Sequence, residues 1–302
     1  MRIGTKVIRA GLAPAAQGES FLAGVTFAGT YHASGETSAS PYTYGRYHNP
    51  TWTQFERALN ELEGGIALSF ASGMAAVAAV FGITLRAGDV LVMPSDCYYT
   101  ARLLADGFFA EIGVQVRKAP TAGGGLSQLL TGHSDLILGH VAVRDAARAE
   151  KLLSWRTQIG AVPGPMEVWL AHRSLATLEM RLERQCRNAL TIAEYLATRS
   201  DVTELRYPGL PHDPSHEIAV QQMRYYGSVV GFVLADRARA EQFLKSCKLI
   251  IEATSFGGVH TTAERRARWG GDEIPEGFIR LSAGCEDSQD LVDDVAQALD
   301  EI

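Results

Sequence analysis

Residues 66–76, Ile-Ala-Leu-Ser-Phe-Ala-Ser-Gly-Met-Ala-Ala, indicate the fold class of this 302-residue chain. The apolar run 66–70 is typical of a buried strand, and Ser72 is a suitable N-cap for a helix that we predict over residues 73–85. The same alternation continues downstream, with a strand predicted at 90–93, a helix at 100–110 and strands at 114–117 and 136–143. Strands that alternate with helices in this way predict an α/β domain with a largely parallel sheet.

The flanking segments suggest three parts. Residues 1–50 are rich in small and polar residues and predict an extended N-terminal arm. Residues 51–160 are assigned to the large domain and residues 161–302 to a smaller C-terminal α/β domain. The latter opens with a helix from Pro165 to about Arg199, since proline is favourable at the first helical position. Its other predicted elements are strands at 228–234 and 278–282 and helices at 239–247 and 288–299.

The alternation is interrupted near residues 119–130, where Gly123, Gly124 and Gly125 are consecutive. One interpretation of three glycines is a flexible hinge. The other is that the large domain is internally shortened at this junction.

Composition excludes several classes of function. Hydrophobic residues make up 46% of the chain and charged residues 21%, and no apolar run approaches the roughly 18 residues of a membrane span. The net charge of -6 argues against nucleic-acid binding, and the basic run 264–268 fits solvent or a small anion better. Four cysteines without CxxC spacing predict reduced thiols in the cytoplasm, with neither a disulfide framework nor a metal site.

Two short motifs are suited to a phosphate group. Ser72, Gly73 and Met74 lie at a predicted strand-to-helix turn, where unpaired backbone N–H groups and the helix dipole favour an anion. Tyr44 and Arg46 offer a phenol and a guanidinium fork, which can hold phosphate bidentately. Each motif alone is also compatible with an ordinary turn or a surface arginine.

The order of several motifs along the chain carries a more specific resemblance. They are Tyr44-Gly-Arg46 with Asn49-Pro-Thr51, Glu61-Leu-Glu-Gly-Gly65, Ser72-Gly-Met-Ala-Ala76, Gly88-Asp89, Asp96-Cys-Tyr98, Gly132-His-Ser-Asp135, Ser255-Phe-Gly-Gly-Val259 and Ile279-Arg-Leu-Ser-Ala-Gly-Cys-Glu-Asp287. From Thr5 to Leu299 the chain resembles the cystathionine γ-synthase/γ-lyase family of pyridoxal phosphate (PLP) enzymes. The resemblance implies the fold type I of PLP-dependent transferases, with a truncated large domain, and a C–S lyase or γ-replacement reaction through an external aldimine of an amino acid substrate.

The resemblance also implies roles for individual residues. Tyr44 and Arg46 match the pair that reaches the cofactor phosphate of a neighbouring subunit, which implies a dimer and, by the family pattern, a tetramer. Ser72, Gly73 and Met74 match the phosphate-binding turn of the same subunit. Tyr98 matches the tyrosine that stacks on the pyridine ring and assists proton transfer; a core aromatic is its alternative reading.

Further matches concern the substrate. Arg280 matches the arginine that pairs with the substrate α-carboxylate, and Ser255 lies in the loop that positions substrate and the catalytic lysine. The turn 132–135 is the one that follows this lysine in the family. His260 departs from the pattern, because members that handle cystathionine often have an acidic residue there.

The central departure is the lysine that binds the cofactor aldehyde. By family spacing it lies four residues before Gly132, where this chain has Gln128, with Ser127 at the preceding hydroxyl position that contacts the cofactor. Lys118 is the nearest lysine in sequence but lacks the expected context. The stretch that normally precedes the lysine, including the aspartate that protonates the pyridine nitrogen, is absent, and we expect the loss to be about 90 residues, or three strand–helix units.

Three hypotheses follow. The first is a PLP-dependent enzyme of sulfur amino acid metabolism whose working form has the missing stretch. The second is a catalytically dead remnant, or pseudoenzyme, that keeps phosphate-binding or oligomerisation surfaces. The third is a structural partner that associates with an intact homologue through the arm carrying Tyr44 and Arg46.

Overall fold

The computed structural model describes residues 1–12, 14, 16–18, 20–119, 130–270 and 273–302. Contacts divide the chain into two compact units: the first is formed by Met1–Ser127 with Asp135–Ala176, and the second by Gln128–Ser134 with Thr177–Ile302. The division therefore falls after Ala176, whereas the sequence suggested a boundary after residue 160.

The first unit alternates helices and strands after a largely irregular N-terminal segment. Its helices are α1 (Ile3–Arg9), α2 (Pro50–Glu63), α3 (Gly73–Thr84), α4 (Tyr99–Leu104), α5 (Ala146–Ile159) and α6 (Pro165–Leu175), and its strands are β1 (Ile66–Phe70), β2 (Val90–Pro94), β3 (Gln115–Ala119) and β4 (Gly139–Val143). A π-helical turn, Ala105–Phe109, continues α4. The helices begin and end where local chemistry dictates: the Asn49 side chain caps α2, and Gly64 ends it with a φ of 71°.

The strands of the first unit form two separate ribbons. β1 pairs with β4 in antiparallel fashion, with Phe70 opposite Gly139, and β2 pairs with β3 in parallel, with Val90 opposite Gln115. Within the described ranges no strand joins one ribbon to the other. The predicted parallel pairing is therefore present in one ribbon of the two.

The long helix predicted from Pro165 to Arg199 is in fact two helices. α6 ends at Leu175, and Thr177, with φ -107° and ψ 4°, precedes α7 (Leu178–Leu196). The buried residues of α6, such as Val168, belong to the first unit, whereas those of α7, such as Ile192, lie in the core of the second. Apolar residues keep a helical spacing across residues 176–177. The periodicity therefore did not show that α6 and α7 pack in different cores.

The second unit is a five-stranded sheet with helices. Its strands are β5 (Thr203–Arg206), β6 (Val229–Val233), β7 (Ile251–Glu252), β8 (Thr262–Arg265) and β9 (Phe278–Ser282), in the order β5-β6-β9-β8-β7, and its further helices are α8 (His216–Gln222), α9 (Arg237–Ser246) and α10 (Ser288–Asp300). Among the strands described in this unit, only β7 and β8 run parallel. Apolar residues of the central strands, α7, α9 and α10 form one buried cluster, and the predicted α/β character of this part is confirmed.

Two kinds of feature are absent from the described residues. None of their helices is long and apolar enough to cross a membrane. No group of three or more histidine, cysteine, aspartate or glutamate side chains among them could hold a metal ion.

Candidate functional site

The turn between β1 and α3 has the geometry of an anion site. Ser72 adopts an extended conformation as N-cap, and its Oγ accepts a hydrogen bond from Ala75 N at 3.0 Å. The N–H groups of Gly73 and Met74 lie in the first helical turn, where the helix itself offers no acceptor. A Cβ on Gly73 would meet no atom within 4 Å, so the space beside the turn is open. The turn can therefore receive a phosphate at the positive end of α3.

Gly139, which the sequence reasoning missed, supports this turn from behind. A Cβ at Gly139 would lie 2.4 Å from Ser72 O and 2.8 Å from Gly73 Cα, so β4 passes against the turn without room for a side chain. A glycine at the start of an apolar strand was the available signal.

Tyr44 and Arg46 lie together in the first unit, on the segment before α2. Arg46 donates from Nη1 to Thr157 O at 2.8 Å, and its guanidinium carbon lies 5.4 Å from the centroid of Tyr44 and 5.3 Å from that of Tyr47. Gly45 N donates to Gly29 O, which fixes the backbone. Arg46 borders an open cleft of about 450 Å³. The guanidinium is thus held at a surface rather than buried.

Tyr98 is placed just before α4 with 69% of its surface exposed. The backbone of α4 is anchored on it, since Ala101 N donates to Tyr98 O at 2.9 Å. The alternative reading of Tyr98 as a core aromatic is therefore wrong. Its ring is free to face a ligand.

Within the first unit the structure joins some candidates and leaves others apart. Ser72, Gly73 and Met74 form one continuous turn. Among the described residues, no hydrogen bond, ion pair or ring contact links this turn to Tyr44 or Arg46 of the same chain. Such a separation is compatible with the expectation that the pair serves a neighbouring subunit.

The predicted cofactor-binding Ser127 and the lysine-position Gln128 lie outside the described residues. All five lysines of the chain are described: Lys6 in α1, Lys118 in β3, Lys151 in α5, Lys245 in α9 and Lys248 just after α9. The Lys118 ammonium makes a 2.5 Å ion pair with Asp106. None of the five stands at the family spacing before Gly132.

The turn that follows the lysine position is fixed within the second unit. Val259 N donates to Gly132 O at 2.8 Å, and Arg181 Nη2 donates to Leu130 O at 3.0 Å. A Cβ on Gly258 would lie 2.5 Å from Ser134 Oγ, which shows how closely the turn and the loop 255–259 pack. The structure therefore brings together the two segments that sequence reasoning connected with the lysine.

Ser255 is a strained residue in that loop. Its φ is 82°, a conformation that costs a non-glycine residue about 1 kcal/mol or more. The neighbouring backbone is held by buried side chains, because Gly257 N donates to Ser282 Oγ and Gln185 Nε2 donates to the carbonyls of Gly257 and Gly258. Ser255 O in turn accepts a hydrogen bond from Arg280 Nη2 at 3.0 Å.

Arg280 is held by a buried acid that sequence reasoning also missed. Glu264 on β8 lies opposite Arg280 on β9, has no exposed surface and accepts a very short hydrogen bond from Arg280 Nη2. Burial lowers the pKa of the Arg280 guanidinium from its usual value. Arg280 Nε is buried without a partner among the described residues, and the guanidinium lies 5.3 Å from the Phe256 ring centroid. An arginine so oriented can offer its free donors to a carboxylate.

Positive charge is in excess around Glu264. Its carboxylate also accepts from Arg266 Nη1 at 3.0 Å and from Trp269 Nε1 at 2.8 Å, and Arg268 Nη2 lies 3.6 Å away. The run that the sequence suggested would face solvent or a small anion thus folds back on a buried acid. The pairing of Glu264 with Arg280 could not be predicted from the sequence, because it depends on the register between β8 and β9.

The chain is similar to known PLP-dependent enzymes in both sequence and structure. The model of the Cys/Met metabolism PLP-dependent enzyme family matches residues 4–125 and 124–300. A Streptomyces coelicolor protein named putative cystathionine gamma-lyase is 45% identical over 99% of this chain and 93% of its own length. A Mycobacterium bovis cystathionine gamma-synthase is 30% identical over 85% of this chain and 86% of its own length. The crystal structure of metB from Corynebacterium glutamicum superposes with a TM-score of 0.93 at 28% identity, covering 100% of this chain and 98% of that one.

The comparisons also locate a break. The two parts matched by the family model meet at residues 124–125, between β3 and β4. The alignment with the Streptomyces protein runs over 368 positions, and 99% of 302 residues is about 299, so about 69 positions have no residue of this chain. The shortfall is smaller than the 90 residues we expected. Matching resumes at residue 124, so Gln128, at the position where we predict the lysine, lies within the matched residues.

Proposed function

The chain belongs to the Cys/Met metabolism family of PLP-dependent enzymes, and from this premise we propose that its reaction is of the cystathionine γ-lyase type. By family it is a PLP-dependent enzyme of sulfur amino acid metabolism. The observation that carries the finer assignment is the 45% identity to a protein named as a γ-lyase, against 30% to one named as a γ-synthase.

The residues present fit one end of the cofactor. The open turn at Ser72 and Gly73 can hold the phosphate through backbone N–H groups, with Ser72 Oγ committed to capping α3. Arg46 of a neighbouring copy, with Tyr44 beside it, would add a guanidinium to this phosphate site. The exposed Tyr98 would face the pyridine ring of the cofactor. This arrangement requires at least a dimer, and the family pattern suggests a tetramer.

The residues present do not fit the aldehyde end of the cofactor. Glutamine can neither form an imine nor shuttle protons, so Gln128 cannot replace the lysine. What this chain's own residues can do is bind: Arg280, oriented by Glu264 and Ser255 O, is suited to hold a substrate carboxylate.

The second candidate function is a catalytically dead member that retains the cofactor phosphate and the oligomer interface. Gln128 at the lysine position is the observation that favours it. We propose a cytoplasmic location for either form, since all four cysteines are unpaired.

One experiment separates the two candidates. Protein from the native gene is weighed intact, incubated with PLP, treated with borohydride to fix any lysine–cofactor bond, and assayed for thiol release from cystathionine. A mass equal to 302 residues, no fixed adduct and no thiol release would support the dead member and contradict the lyase. An adduct together with release of cysteine, ammonia and a four-carbon 2-oxo acid would support the γ-lyase, whereas exchange of an added thiol for cysteine without 2-oxo acid would point to γ-replacement.

A further inference from the structure

The first unit contains two ribbons with very different outer edges. In the β1–β4 ribbon, the outer N–H groups of β1 are satisfied by α2: Ala67 N donates to Asn60 Oδ1 at 2.6 Å and Ser69 N donates to Glu56 Oε1 at 2.8 Å. No described strand pairs with the other edge, along β4. β4 is therefore the open edge of this ribbon.

The β2–β3 ribbon also has one edge suited to solvent and one that is not. β3 carries Arg117 and Lys118, and charged side chains are a common protection of a true edge strand. β2 reads Val-Leu-Val-Met-Pro without a charge, which is typical of a strand inside a parallel sheet. Neither outer edge of this ribbon has a described strand partner, and β2 is the edge that lacks charged protection.

One face of β2 is also bare. Leu91 and Met93 pack in a cluster with the α3 residue Phe81, whereas Val90 and Val92, which alternate with them, are 44% and 65% exposed. Ile137, just before β4, is 75% exposed. Parallel strands of α/β proteins are normally covered on both faces, so apolar surface is uncovered next to both open edges.

Helix α3 holds the two ribbons in one unit. Its residues Ala76 and Ala79 pack in the core of the β1–β4 ribbon, while Met74 and Val77 pack in the core of the β2–β3 ribbon. The solved metB structure covers the whole of this chain at a TM-score of 0.93. The elements therefore keep the places they have in that solved relative.

The break in the alignment lies at the same place. The absent stretch of about 69 positions would follow β3 and precede β4 in the chain. At roughly 30 residues for each strand–helix unit, it amounts to two or three such units.

We propose that β2 and β4 form a docking slot for a separate polypeptide of about 70 residues, homologous to the stretch that relatives have at the break. Its two or three strands join the two ribbons into one sheet, and its helices cover the face of Val90 and Val92. The docking depends on family membership and not on the lyase assignment. It does not restore the lysine, because position 128 lies in this chain.

The test supplies this polypeptide directly. The chain is co-expressed with a tagged segment of the Streptomyces relative that fills the break, and the complex is purified through the tag and weighed by native mass spectrometry. We expect a one-to-one complex in which amide hydrogen exchange of β2 and β4 slows relative to the chain alone. Failure to co-purify, or unchanged exchange in both strands, would overturn the proposal.

A matched pair of variants makes the result specific. Val92→Lys adds a charge to the proposed slot and Val220→Lys adds one to α8 in the second unit; both side chains are exposed, at 65% and 54%, so both variants should fold. We expect Val92→Lys to weaken binding of the segment at least tenfold, with no change for Val220→Lys. Equal affinities of the two variants would contradict docking at β2.

A third variant separates this inference from the proposed function. Gln128→Lys installs a lysine at the family position, and borohydride trapping then reports whether it reaches the cofactor in the complex. Docking without trapping or turnover would leave the slot intact and count against the lyase. Turnover without co-purification of the segment would support the lyase and overturn the slot.

Discussion

At the scale of single residues, Glu264 shows how a buried charge organises the substrate side of the second unit. Its carboxylate has no exposed surface and is met by Arg280, Arg266 and Trp269. A buried charge is tolerated only when it is paired and hydrogen-bonded. Glu264 therefore acts as a positioning residue for Arg280 rather than as a group that contacts substrate.

Glu264→Gln is expected to destabilise the chain by about 3 kcal/mol, since it leaves buried guanidinium charge without its counterion. Urea unfolding measures the loss. Glu276→Gln is the control, because Glu276 pairs with Arg265 but is 64% exposed, and such pairs are worth about 1 kcal/mol or less. Equal losses in the two variants would show that burial of Glu264 is not what matters.

His172 makes the stability of the first unit depend on pH. It is buried in α6, and burial lowers the pKa of its imidazole from the usual value of about 6.5, outweighing the opposite effect of Ala10 O, which lies 2.9 Å from Nε2. The unfolded chain then binds the proton more readily than the folded one, and stability is lost as pH falls below about 6.5. We expect the melting temperature to fall between pH 7.5 and pH 5.5 less steeply in His172→Gln than in the unchanged chain. Parallel curves would contradict this assignment.

Only part of the candidate site could be predicted from the sequence. The position of Ser72 as a helix cap could be predicted, because cap chemistry is local. Glu264 and Gly139 could not, because one depends on strand register and the other on the close passage of β4 behind a turn. Contacts between residues close in sequence could be predicted, whereas contacts between distant segments could not.

At the scale of elements, α2, β1 and α5 are joined by one buried ion pair. Arg156 on α5 is 1% exposed and donates to Glu56 Oε1 at 2.5 Å and to Ser69 O at 2.8 Å, while Ser69 donates back to Glu56. The same region supports the site, since Thr157 O accepts from Arg46. The network fixes β1, from which the phosphate turn begins.

Arg156→Met is expected to cost about 3 to 5 kcal/mol, because Glu56 is left as an unpaired charge in a largely buried place. The control is Arg148→Met on the same helix, whose pair with Asp145 is exposed on both sides and is expected to change stability by under about 1 kcal/mol. Denaturant unfolding distinguishes them. Adding Glu56→Gln to Arg156→Met should recover part of the loss, and no recovery would argue that packing of the arginine dominates.

Element boundaries could be predicted most closely where a helix cap stands in the sequence, although α9, capped by Asp236, begins two residues before its predicted start. The ends of α3 lie within a residue of the predicted 73–85, because Ser72 caps the helix. The division between α6 and α7 was missed because both helices are apolar on one face and only the identity of the core changes. Periodicity reports that a face is buried and not against what.

At the scale of the whole molecule, the cofactor site is expected to be shared between copies. Among the described residues, no hydrogen bond, ion pair or ring contact joins Tyr44 or Arg46 to the Ser72 turn of the same chain, although both belong to the phosphate site by resemblance. A C₂ dimer would place the pair of each copy at the turn of the other.

Arg46→Ala and Gly73→Val test this arrangement together. Each should weaken PLP binding at least tenfold, the first by removing a guanidinium fork and the second by filling the open space beside the turn. Arg57→Ala, at an exposed arginine of α2, serves as the control. PLP affinity is measured by equilibrium dialysis, and unchanged affinity in Arg46→Ala would refute the assignment of Arg46 to the phosphate site.

The two variants can then be co-expressed. If Arg46 serves the neighbouring copy, a mixed dimer has one site with both defects and one site with neither, so about half of the sites in mixed dimers should bind PLP with normal affinity. If Arg46 serves its own chain, every site has one defect and mixing restores nothing. The fraction of sites with normal affinity therefore shows whether each copy completes the phosphate site of its partner.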